Sequence, residues 1–274
     1  MRVTVCELPH EPGALAEAWA GLCRHTERHR SELVLLPEFA LVDPVWEGDA
    51  FDAGRWAAAL AQGDAALARL PQLGAAHVVG TRPAGIGGRP FNQGFHWSNA
   101  GGGAPLRSKC WLPNEPGGWE ARWFDRGEPG FPAFRAGALS FGLNICTELW
   151  ALETYGAYAA LGVQAVLSPR ATAAATTARW LAVGVVAAVR SGAFCLSSNR
   201  VDSKGACGGV GWIIAPDGEI LARTTRDAPF VTMDIDPAAA DAARAGYPCS
   251  VFAPGRERRC ESMQWSSPEP DRPG

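Results

Sequence analysis

Three apolar runs in this chain each end in a side chain that can do chemistry. LVLLPEF delivers Glu38, PLRSKCWLP delivers Lys109, and FGLNIC delivers Cys146. A carboxylate can accept a proton, a thiol can attack carbon, and an ammonium can hold a developing oxyanion. Together they make a set suited to breaking a carbon–nitrogen bond. Cys146 is the most telling of the three. It closes an alternating run of Leu139, Phe141, Leu143 and Ile145, and polar Thr147 and Glu148 follow it. A strand that hands a thiol to a helix-like turn sets sulfur beside free N–H groups, which is expected to lower its pKa from about 8.5. Taken singly, each residue has a plainer reading. Free Cys is usually core filler, and a Glu or Lys after a strand is usually a solvated turn residue.

Strand ends matter because α/β folds present their chemistry in crevices beyond the carboxyl edge of the sheet. Hydrophobic periodicity predicts strands over residues 2–8, 32–36, 75–81, 92–98, 105–109 and 133–135, then the Cys-bearing strand. Further strands are expected over 165–168, closed by Pro169, over 194–198 and over 230–235. Helices are expected over 11–30, 51–70, 155–161 and 176–191. Gly-rich 84–88 reads as a hairpin connection, and Pro216-Asp217-Gly218 as the turn of a hairpin formed by 211–215 and 219–224. Strands alternating with helices, with hairpins mixed in, imply an α/β layered fold with a mixed sheet. One domain is expected over 1–262, followed by a Pro-rich, polar, disordered tail over 263–274.

The chain has 274 residues, 47% of them hydrophobic and 19% charged, so it can bury a large single core. A formal net charge of −3 without clustering offers nothing to nucleic acid. No unbroken apolar stretch approaches the ~18 residues of a spanning helix, and the N-terminus opens directly on a strand pattern. A soluble, cytoplasmic protein is expected. The eight cysteines (6, 23, 110, 146, 195, 207, 249 and 260) are scattered and form no CxxC pair, which favours free thiols. His25 and His29 lie four apart in RHTERHR, without the HExxH arrangement, so they read as a solvated basic helix face. No metal and no cofactor are expected.

The same segments resemble the nitrilase, or carbon–nitrogen hydrolase, superfamily. The resemblance rests on LVLLPEFAL, on RSKCWLPNEPGGWEARWFDRGE and on LSFGLNICTELWALE, with 71 residues from Glu38 to Lys109 and 37 from Lys109 to Cys146. FPAFRAGALSFGLNIC and SSNRVDSKGACGGVGWIIAPDGEIL extend it, so that it covers about residues 1 to 260. It implies a four-layer α-β-β-α sandwich and a Glu38-Lys109-Cys146 triad. It also implies a second glutamate in the loop after the lysine. PGGWEARWF assigns that role to Glu120, with Glu115 in the same loop as the fallback. A homodimer or higher homo-oligomer is implied through the helices after the nucleophile, where residues 171–189 carry no charge besides Arg179.

Thr147 stands where nitrile-hydrating members usually carry Trp, and Ala151-Leu152 stand where a Pro would be expected. The branch resembled is therefore amidase or N-carbamoyl amidohydrolase, acting on a small amide-like substrate. Nitrile hydrolysis, acyl transfer to an amine and a non-catalytic binding role are the alternatives. The substrate-binding set expected is Thr147, whose N–H would share the oxyanion with Lys109, together with Trp119, Glu148 and Arg170. Arg170 has two readings: it recognises a substrate carboxylate, or it pairs with Glu148 or Glu153. Trp111, Trp119, Trp123 and Trp150 either line a pocket or pack long loops onto the core.

Overall fold

The first strand shows how the layers are built. Side chains alternate across a strand, and in β1 (Arg2–Leu8) Val3 and Val5 join one buried cluster while Cys6 and Leu8 join another. A strand buried on both faces belongs at the centre of a sheet, and β1 lies there. The computed structural model describes residues 1–252; the tail expected over 263–274, and Cys260, lie outside them.

After β1 come α1 (Pro12–His29), β2 (Leu33–Leu35), α2 (Ala53–Leu67), β3 (His77–Ile86), β4 (Arg89–Ser98) and β5 (Gly102–Ser108). A short α3 (Glu120–Trp123) precedes β6 (Phe134–Ala136) and β7 (Leu139–Leu143), then α4 (Glu153–Ala160) and β8 (Ala165–Arg170). The chain continues through α5 (Thr177–Ser191), β9 (Phe194–Arg200), β10 (Trp212–Ile214), β11 (Ile220–Arg223), β12 (Phe230–Asp234) and α6 (Pro237–Ala245).

Hydrogen bonding orders the strands β5-β4-β3-β2-β1-β9-β8-β7-β6, with β10 and β11 branching from β9 and β12 from β1. β1 pairs with β2 at Val3–Val5 but with β9 at Glu7 and Leu8, so it belongs to both halves of a curled mixed sheet. The inner faces of the two halves meet in one core, where Val3, Val5, Leu33 and Leu35 join Leu139, Phe141, Leu167 and Leu196. Trp19 and Leu22 of α1 cover the outer face of the first half. Val183 and Ala187 of α5 and Tyr155 and Tyr158 of α4 cover the outer face of the second. The sequence of cores, helix–strand, strand–strand and strand–helix, is the one a layered α-β-β-α arrangement requires.

Two local expectations change. Pro169 does not close its strand: β8 runs on to Arg170, with Pro169 opposite Ser198. The ladder to β7 stops at Leu167, so the proline falls where β8 has lost one neighbour, a position that tolerates a missing N–H. Helix α6 was not anticipated, although Asp236 caps it by accepting from the Ala238 N–H at 3.0 Å and Pro237 opens it. Among the described residues, no helix is long and apolar enough to cross a membrane.

Candidate active site

Three loops leave the sheet close together. Lys109 extends the β4–β5 pairing by one more bond, its N–H donating to the Asn92 carbonyl at 2.8 Å. Glu38 follows β2 and is pinned by its own N–H, which donates to the Arg170 carbonyl at 3.2 Å. Cys146 starts a 3-10 turn, Cys146–Trp150, just beyond β7. Two of these joints are strained. Phe39, next to Glu38, has φ 45°, and Cys146 itself has φ 48°. Side chains other than glycine rarely adopt that left-handed conformation; each instance costs about 1–3 kcal/mol and persists only where its surroundings enforce it. Here it turns the thiol out of the strand direction.

The side chains converge in the interior. Lys109 is fully buried, and its Nζ donates to Glu120 Oε1 at 2.7 Å and to Glu38 Oε1 at 3.0 Å. Asn92 Nδ2 donates to the same Glu38 oxygen at 2.8 Å. Glu120 Oε2 and Asn92 Oδ1 are buried with no hydrogen-bond partner among the described residues. The cluster thus holds two carboxylates against one ammonium. Burial works against the ammonium, but Glu120 and Glu38 more than offset it and hold the Lys109 pKa above that of an ordinary lysine. Burial pushes the Glu120 carboxyl up to about 7 against the pull of Lys109.

For Cys146 the expected direction is reversed. Burial, with Glu38 and Glu120 nearby, drives its thiol pKa up, and neither Lys109 nor the Ala171 N–H facing the sulfur offsets this. A fully enclosed sulfur beside two carboxylates is a poor place for a thiolate. The thiol of this site is an S–H that needs a base. Among the described residues, the Thr147 N–H has no hydrogen-bond acceptor, which leaves it available to a ligand.

The remaining expected residues are placed as follows. Glu115 is exposed, so of the two loop acids it is Glu120 that reaches Lys109. Trp119 is half-buried, its N–H donating to the Trp46 carbonyl and its ring under the Arg122 guanidinium at 4.2 Å. Trp123 is buried, and its Nε1 donates to the Gly48 carbonyl at 2.6 Å.

Arg170 pairs with neither Glu148 nor Glu153. Its Nε donates to Ser197 Oγ, its Nη1 to Thr172 Oγ1 and its Nη2 to the Val210 carbonyl, at 2.7, 2.7 and 2.6 Å. It lies 3.9 Å over the Trp212 ring, and burial draws its pKa down to about 9. With all three nitrogens committed to the chain, its guanidinium braces the scaffold. Glu148 is fully buried and likewise surrounded by donors of the chain. Asn92 is the Glu38 partner that periodicity gave no sign of. It was read as the start of a strand, and the one signal was a polar side chain at a position that the sheet buries completely.

Two openings are lined by neighbours of Cys146, not by Cys146 itself. A cavity of about 360 Å³ is bounded by Trp46, Gly117, Ala171, Arg200, Lys204 and Cys207. A cleft of about 450 Å³ is bounded by Trp111, Glu115, Thr147, Trp150 and Trp180. Ala171, whose N–H faces the Cys146 sulfur, lines the first, and Thr147, next in the chain, lines the second. Among the described residues, no three His, Cys, Asp or Glu side chains gather in a metal-binding group.

The family model described as carbon-nitrogen hydrolase matches residues 2–245. No curated protein matches the chain in sequence. Solved structures similar to it include a carbon-nitrogen hydrolase from Helicobacter pylori G27, 17% identical with a TM-score of 0.80, covering 91% of this chain and 94% of that one. An amidase from Nesterenkonia sp. is 21% identical with a TM-score of 0.72, covering 89% and 94%. A variant of the Nesterenkonia sp. AN1 amidase, in complex with butyramide, is 21% identical with a TM-score of 0.71, again covering 89% and 94%. At these identities the structural likeness establishes the shared fold.

Proposed function

The chain belongs to the carbon–nitrogen hydrolase family, and on that premise we propose that it hydrolyses the C–N bond of a small amide through a thioester on Cys146. The observation that carries the reading is Lys109, fully buried between Glu38 and Glu120, beside a buried thiol whose pKa those surroundings raise. Such a thiol attacks only as its proton leaves, so a base must act in the same step. Glu38 takes the proton as sulfur bonds to the carbonyl carbon and the C=O electron pair moves onto oxygen. Lys109 Nζ and the Thr147 N–H hold that oxyanion. As the tetrahedral centre collapses the C–N bond breaks, Glu38 passes its proton to nitrogen, and ammonia or an amine departs. Water, deprotonated by Glu38, then attacks the thioester, the C–S bond breaks and the thiol is restored. Glu120 keeps Lys109 charged and oriented throughout.

Thr147 in place of tryptophan supports an amide or N-carbamoyl substrate over a nitrile, and the butyramide bound by the Nesterenkonia amidase supports a small primary amide first. The test is ammonia release from primary amides, N-carbamoyl amino acids, N-carbamoyl amines and nitriles. The expected result is turnover of an amide that disappears in Cys146→Ala; unchanged turnover in that variant overturns the scheme. A homodimer is part of the proposal, supported by exposed Trp150, Leu152, Leu161 and Val186 on and beside α4 and α5. Sedimentation of a monomer at micromolar concentration overturns that part.

A further inference from the structure

A second buried ion pair lies within two residues of the catalytic lysine and cysteine. Glu148 is fully buried, and its carboxylate receives four donors. Arg107 Nη2, at 2.8 Å, and the Cys110 N–H, at 2.7 Å, meet Oε1. Arg107 Nη1 and the Ile145 N–H, at 2.9 Å, meet Oε2. Cys110 follows Lys109, and Ile145 precedes Cys146. One carboxylate therefore holds the main chain beside the ammonium and the main chain beside the sulfur. These two segments are far apart in sequence and come from different strands.

Arg107 is equally constrained. It forks onto both Glu148 oxygens, its Nε donates to the Gly130 carbonyl at 2.9 Å, and its guanidinium lies 4.0 Å over the Phe131 ring. With every oxygen of Glu148 filled by the chain, the residue has nothing left to offer a substrate. What it can do is fix a distance. The left-handed backbone at Cys146 has to be held in place by its surroundings, and the Glu148 bond to the Ile145 N–H is the restraint immediately before it.

We propose that Glu148 and Arg107 are positioning residues: together they set the separation between the Lys109 ammonium and the Cys146 sulfur. This rests on the proposed role of Cys146 as nucleophile. Glu148→Gln would place an NH2 group against N–H donors on one side of the clamp and release one of the two segments. Arg107→Lys would keep the charge but lose the paired fork. An ångström of misplacement between reacting groups costs on the order of 10²-fold in rate.

The experiment measures kcat and KM per titratable Cys146, and the rate at which iodoacetamide alkylates Cys146, in the unmodified protein, both single variants and the double variant. The expected result is kcat per site down about 10- to 100-fold with KM changed less than about threefold. Alkylation should slow in parallel, and the double variant should be no worse than the worse single one, because the pair acts as a unit. If Glu148→Gln does not fold, Arg107→Lys carries the test. A lower melting temperature or fewer titratable sites, with kcat per site and alkylation rate unchanged, would mean an ordinary core ion pair and overturns the clamp alone. Failure of iodoacetamide to select Cys146 in the unmodified protein overturns the nucleophile assignment, and the clamp with it.

Discussion

Arg107 and Lys109 stand two residues apart at the end of β5, and each meets a buried carboxylate; the two meetings follow opposite rules. Around Glu148 one cation and one anion are matched, and two main-chain N–H groups fill the remaining lone pairs. Around Lys109 two carboxylates share one ammonium, and Glu120 Oε2 and Asn92 Oδ1 have no partner among the described residues. A saturated buried pair resists any change of protonation, because removing one charge strands the other. In the second cluster burial instead pushes the Glu120 carboxyl up to about 7, closer to a change of protonation. Within one strand end, the first arrangement suits holding and the second suits chemistry.

The largest effect should come from the undersatisfied cluster. Lys109→Ala removes an oxyanion donor and should lower kcat on the best amide by about 10²–10³-fold, measured per folded molecule. A loss below tenfold would break the comparison, since Lys109 would then be no more than a counter-ion. The saturated pair should answer in stability. Arg107→Met strands the Glu148 carboxylate and should destabilise the fold by about 3–5 kcal/mol in urea unfolding. A change under about 1 kcal/mol would show that Glu148 is not held as the geometry implies.

The smallest effect is a pH limb. Burial raises the Glu120 carboxyl, so in the folded protein it takes up a proton as pH falls through about 7. Protonation removes a partner of Lys109, so kcat/KM should be high above that pH and fall below it. In Glu120→Gln, which cannot ionise at that position, the limb should be lost. A profile of kcat/KM that is flat from about pH 5.5 to 8.5 would count against the coupling.

The residues with the plainest sequence signature are the ones the fold brings together. Glu38, Lys109 and Cys146 each end an apolar run, and alternation in a strand marks where such a run stops. Glu120 needed the loop pattern PGGWEARWF as well, since spacing alone left Glu115 beside it. Asn92, the true surroundings of Glu148 and the bracing role of Arg170 were not legible. Their partners lie 54, 38 and 27 residues away in sequence, for Glu38, Cys110 and Ser197 respectively. Glu148, expected among the substrate contacts, lies in the 3-10 turn that starts at Cys146, and that turn carries its side chain into the core.

By itself the sequence determined most of the strands and helices along the chain and which three ends carry a carboxylate, an ammonium and a thiol. Hydrophobic periodicity and turn residues act locally, and those assignments follow from them. Only the tertiary structure decided how the charges balance. Burial reversed the expected direction of the Cys146 pKa, and the crowding of two carboxylates on Lys109 raised that of Glu120. Desolvation and Coulomb interaction depend on distances across the fold between segments that the chain order keeps far apart.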